Sequence, residues 1–118
     1  MKDLAPNISR HRLLIEGFYS MNVNKSVIEQ FFYEITNCLK LRMYGIPIIF
    51  SPDGEGKEGN QGFDAFVPLI DSGISLYVWT DSNFLSIIIY TCKSFNIDKA
   101  IEKTIRYFKI YKIEHKAF

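Results

Sequence analysis

Asp71-Ser72-Gly73-Ile74-Ser75-Leu76-Tyr77-Val78-Trp79-Thr80-Asp81 is the stretch on which the reading of this chain turns. Ile74, Leu76 and Val78 share one parity while Ser75, Tyr77 and Trp79 share the other. That period of two belongs to a β-strand whose faces meet different surroundings. Asp71-Ser72-Gly73 reads as the turn into the strand, and residues 80–83 as the turn out of it. Residues 63–70 and 84–92 read as strands on either side, the second dense enough (Leu85-Ser86-Ile87-Ile88-Ile89-Tyr90) to sit centrally in a sheet. Three strands joined by tight turns make an antiparallel core.

Working outward, residues 44–50 form another strand, and Pro47 places it at an edge or a strand start. Residues 51–62 hold four glycines, a proline and several charges without an apolar side chain, which predicts a flexible surface connection. The spacing matches no phosphate-binding loop; a lid over a nearby site is a further option. Residues 12–19 are short, apolar and aromatic, a first strand. Ser26 and Glu29 have the spacing of a capping box. Val27, Ile28, Phe31, Phe32, Ile35 and Leu39 then recur at helical spacing to about Lys40. Asn96 or Asp98 opens a second helix with Ala100, Ile101, Thr104, Ile105 and Phe108 on its inner face, and residues 110–114 alternate as a last strand. The order βαββββαβ predicts an α+β fold: a two-layer α/β sandwich, an antiparallel-rich sheet with two helices on one face. No repeat or boundary divides residues 1–118, which read as a single domain.

With 47% hydrophobic residues, 118 residues suffice for a core. Fourteen basic against 13 acidic residues leave no electrostatic footprint for nucleic acid. No apolar run approaches a membrane span, and the first residues lack the apolar core of a signal peptide, so a soluble cytoplasmic protein is expected. Cys38 and Cys92 form no CxxC pair, and His11 and His115 lie at opposite ends, so no metal cluster is visible. Two helices cover one side of a broad sheet. Tyr77, Trp79 and Tyr90 are free to form an aromatic face on the other, which predicts a homodimer or higher oligomer.

The strand-turn-strand from Asp71 to Cys92, with its Trp79-Thr80-Asp81 ending and its Tyr90-Thr91-Cys92 close, resembles the small prokaryotic S-adenosylmethionine decarboxylases. The likeness extends to an opening strand ending Phe18-Tyr19, one long helix, and a closing helix of the Asp98-Lys99-Ala100-Ile101-Glu102 kind. Members of that family cleave themselves at a Glu-Ser bond and convert the serine into a pyruvoyl group, the electron sink for decarboxylating S-adenosylmethionine toward spermidine. The resemblance implies Asp71-Ser72 as the cleavage pair and a pyruvoyl cofactor from Ser72. It places the proton donor at Cys92, the family tryptophan at Trp79, and the acid that holds the ribose hydroxyls at Asp81.

The chain also departs from the family pattern. The mid-strand histidine that aids processing is Tyr77, and the histidine after the serine is Gly73. A second processing serine falls on Asp64, within Gly62-Phe63-Asp64-Ala65, and Phe50 stands in for the aromatic that stacks on adenine. Phenols, with an ordinary pKa of about 10, are poor bases near neutral pH. Self-processing is therefore expected to be impaired or absent, leaving the chain uncleaved. The alternatives are a non-processing homologue that binds S-adenosylmethionine or a related nucleoside, or regulates an active partner subunit, and a fold reassigned to another reaction through Cys92, Asp64 or Tyr77.

Overall fold

The computed structural model describes residues 1–51 and 61–118. Its elements are β1 (His11–Tyr19), α1 (Lys25–Leu39), β2 (Ile48–Phe50), β3 (Gly62–Leu69), β4 (Ser72–Trp79), β5 (Phe84–Thr91), α2 (Ile97–Phe108) and β6 (Ile110–Ala117). The strands form one six-stranded sheet in the order β2-β3-β4-β5-β1-β6, and every neighbouring pair is antiparallel. The expected sandwich is what forms.

The alternation in β4 is the reason for its placement. Ile74, Leu76 and Val78 are buried, as are their counterparts Leu85, Ile87 and Ile89 on β5 and Leu13 and Ile15 on β1. They share one cluster with Ile28, Phe31, Phe32 and Ile35 of α1 and Ala100 and Phe108 of α2. The helices lie side by side on that face. Phe31 packs against Phe108 with ring centroids 4.7 Å apart and planes tilted by 49°, and Lys103 Nζ sits 2.6 Å from Glu34 Oε1 across the helix pair. Tyr107 closes the seam by donating its hydroxyl to the Val27 carbonyl at 2.6 Å. Gly17 lets the edge strand β6 approach, since a Cβ there would lie 2.8 Å from Ile110 and 2.9 Å from the Lys112 carbonyl.

Several sequence expectations shift. The cap of α1 is Asn24, whose side chain accepts from the Val27 amide at 2.9 Å, so the helix begins before Ser26 and the capping box does not form. The strand expected over residues 44–50 shrinks to β2, which is an edge strand as Pro47 requires. Asn96 caps α2, and β6 runs past Glu114 to Ala117. The turn expected at Asp71-Ser72-Gly73 lies one residue earlier, at Ile70 and Asp71, because Ser72 already pairs with Leu69 and Thr91. Most of the glycine-rich connection (52–60) lies outside the described residues. No helix is long and apolar enough to cross a membrane among the described residues.

Among the described residues, no helix covers the sheet's second face. Ile48, Phe50, Phe66, Tyr77, Tyr90 and Tyr111 are all exposed there, with Trp79, Phe84 and Phe18 half-buried among them.

Candidate functional site

The eight residues singled out by sequence fall into three groups along β4 and its neighbours. At the β3–β4 end, Asp71 closes a two-residue hairpin turn and Cys92 follows the last residue of β5. Antiparallel pairing of Ser72 with Thr91 brings these two segments together. The Cys92 amide donates to the Asp71 carbonyl at 2.9 Å, and the Cys92 Sγ lies 3.9 Å from Asp71 Oδ1. Ser72 is exposed beside them, with φ of +140°. Gly73 is roofed by Phe66: a Cβ at residue 73 would come within 2.6 Å of that ring. A side chain at this position, where the family pattern has a histidine, would require the exposed Phe66 ring to move aside.

The second group is a row across the open face. Phe50 pairs with Asp64, Asp64 with Tyr77, Tyr77 with Ser86, and Ser86 with Glu16. Directly opposed residues on one face have Cβ atoms about 5 Å apart, so these side chains are neighbours. Phe50, Asp64 and Tyr77, with Ile48, Ala65 and Phe66, line a shallow cavity of about 150 Å³. Further along the row Ser86 donates to Glu16 Oε2 at 2.9 Å. Sequence reading missed both Glu16 and Ser86. Each interrupts an apolar run within its strand, which was the available signal.

The third group sits at the far end of β4. Trp79 packs on Phe84 with centroids 5.6 Å apart, and Asp81 lies exposed in the turn that follows. Opposite Trp79 is Gly62, at φ +155°, where a Cβ would fall 1.7 Å from the Val78 carbonyl oxygen; only glycine fits.

Spacing decides what these groups can do together. A strand advances about 3.4 Å per residue, so Tyr77 lies about 17 Å from Ser72, and Trp79 about 24 Å. Within one chain, Asp71, Ser72 and Cys92 meet. So do Phe50, Asp64 and Tyr77. The two sets do not meet each other, nor does either meet Asp81. A hydrogen-bonded carbonyl beside the exposed Ser72 at one end, and an aromatic and acidic surface further along, suit acyl transfer and the binding of a flat, polar-edged ligand respectively.

Comparison with known proteins adds an independent finding. The family model described as S-adenosylmethionine decarboxylase matches residues 18–118. No curated protein sequence matches the chain. Among solved structures, the adenosylmethionine decarboxylase from Aquifex aeolicus superposes with a TM-score of 0.71. That match has 16% sequence identity and covers 94% of this chain and 89% of the other. At that identity the likeness is one of fold.

Proposed function

We propose, from the premise that this chain belongs to the S-adenosylmethionine decarboxylase family, that its ligand is S-adenosylmethionine and that Ser72 is the source of a pyruvoyl group formed by slow self-cleavage. One observation carries this reading: the hydrogen bond from the Cys92 amide to the Asp71 carbonyl, 2.9 Å long, beside an exposed Ser72. Attack by the Ser72 hydroxyl on that carbonyl puts negative charge on its oxygen. A backbone N–H already aimed there stabilises the charge without reorganisation. The C–N bond breaks as the ester forms, and the hydroxyl proton passes to the departing nitrogen. Loss of the residue 72 α-proton with cleavage of its Cβ–Oγ bond then frees Asp71 as a carboxylate. Addition of water and loss of ammonia leave the pyruvoyl group on residue 72.

When formed, that group supplies an electron sink for decarboxylation. The remaining work falls to side chains. Cys92 borders the reacting position and serves as the proton donor. Phe50, Tyr77 and Trp79 offer aromatic surfaces for the adenine, and Asp81 accepts from the ribose hydroxyls. Because Tyr77 and Trp79 lie about 17 and 24 Å from Ser72 along one strand, the site needs a second copy. Two sheets packed open face to open face, as in a β-sandwich, with a two-fold axis crossing β4 near its middle, lay the Tyr77–Asp81 half of one chain over the Asp71–Cys92 end of the other. The exposed aromatic face supports such a homodimer.

A second reading is a homologue that binds S-adenosylmethionine or a related nucleoside without cleaving. Tyr77 at the histidine position favours it, since neither Tyr77 nor Asp64 reaches Ser72 in one chain. Intact mass of purified protein during prolonged incubation separates the two. The first reading requires fragments of 71 and 47 residues, the second blocked at its N-terminus, and neither from Ser72→Ala. An unchanged mass removes pyruvoyl chemistry. Calorimetry with S-adenosylmethionine on the native chain and Asp81→Ala then tests binding, and no heat with either removes the second reading as well.

A further inference from the structure

Among the described residues, positive φ at non-glycine positions occurs at Lys40, Asn83, Lys109 and Ser72. The first three lie at φ 49–57°, the left-handed helical region, two as helix caps and one in a turn. Ser72 is different: at +140° it shares its region with Gly62 alone. That conformation is nearly confined to glycine and is strained for serine.

The cause is in the hairpin. Two-residue connections favour turns with positive φ at the first or both central residues. The central residues here are Ile70 and Asp71, and neither has it. For a β-branched side chain positive φ is a genuine outlier. We propose that Ile70 is a positioning residue for the Asp71–Ser72 bond: by refusing positive φ within the turn it displaces the distortion onto Ser72, where rearrangement of that bond releases it. This deepens the self-cleavage reading and rests on it for its kinetic consequence.

The tip is held so that the strain cannot dissipate. The Ile70 amide donates to Arg42 O at 3.0 Å, Asp71 O accepts from Cys92, and the Tyr44 amide donates to Pro68 O at 2.8 Å. Leu69 and Thr91, which flank Ser72 in the sheet, are buried. Gly73, the residue that could take the conformation freely, lies one place too late.

The test is a stability cycle with a cleavage readout. Ser72→Gly is measured by urea unfolding in the native background and in Ile70→Asn, since asparagine tolerates left-handed backbone; Ile70→Gly repeats the cycle in case the first variant folds poorly. Ser72→Gly is expected to stabilise the native background clearly and the Ile70 variants much less. Equal effects in both backgrounds overturn the proposal. In parallel, cleavage at Asp71–Ser72 is timed by intact mass, with neutral hydroxylamine added to trap the ester. If strain of the usual size is released in the transition state, Ile70→Asn slows fragmentation roughly 5- to 150-fold. A native chain that fragments no faster than Ile70→Asn refutes the positioning role. If no variant fragments, the self-cleavage reading fails, and the stability cycle alone decides whether the strain exists.

Discussion

Replacing Tyr77 by histidine tests both the base and the geometry of the proposed site. At pH 7.5 ordinary phenols are about 0.3% ionised, whereas ordinary imidazoles are about nine-tenths free base, a ratio of about 300 in available base. The weaker intrinsic basicity of imidazole takes back part of this, and positioned bases contribute about 10²–10⁴-fold in general. Tyr77→His should therefore speed fragmentation at Asp71–Ser72 by about a hundredfold. Asp64, the cross-strand partner of residue 77, provides an acceptor to orient the ring. The location of residue 77, about 17 Å along β4 from Ser72, adds a sharper requirement: the histidine must act on the other copy. A Ser72→Ala, Tyr77→His chain, which cannot cleave itself, should accelerate cleavage of native chains mixed with it. The assay is intact mass against time, for each chain alone and for the mixture. Acceleration in Tyr77→His that never appears in trans would refute the face-to-face site, and no acceleration at all would refute the role of position 77.

Four further outcomes are expected. Phe66→Asp and Tyr90→Asp each put a charge on the open sheet face, and sedimentation should shift from the mass of two copies to that of one. Phe31→Ala removes a ring with no exposure that touches Phe108, Tyr107 and Phe32, and should cost about 3–5 kcal/mol in urea unfolding. Asn24→Ala should cost about 1 kcal/mol while Ser26→Ala costs little, because Asn24 holds the first-turn amide. The Lys103 ammonium bonded to Glu34 holds that carboxyl below the ordinary carboxylate range. A depressed folded-state pKa gives stability that is present above the unfolded value of about 4.3 and is lost as pH falls through the folded one. The advantage of the native chain over Lys103→Met, under about 1 kcal/mol for so accessible a pair, should therefore be present at pH 7 and shrink as the pH falls below the unfolded value.

What the sequence determined by itself is whatever depends on local periodicity. Ile74, Leu76 and Val78 face the core because alternate strand residues must share a face. Phe31, Ile35 and Leu39 line α1 because helical neighbours recur every three to four residues. Ser72, Cys92, Trp79 and Asp81 were legible as candidates because their spacing survives in a family frame. Tertiary structure decided the rest through pairings distant in sequence. Register with Leu69 and Thr91 drew Ser72 into β4 and left the turn to Ile70 and Asp71. Asn24 and Ser26 are both plausible caps, and the folded chain uses Asn24. The insertion of β1 between β5 and β6 set Glu16 beside Ser86, 70 residues away. Nor does local sequence reveal that Asp71, in the turn before β4, would present its carbonyl to the Cys92 amide after β5. The same pairing strings the candidates along one extended strand, so that Asp71, Ser72 and Cys92 meet at one end while Tyr77, Trp79 and Asp81 lie far from them within a single chain.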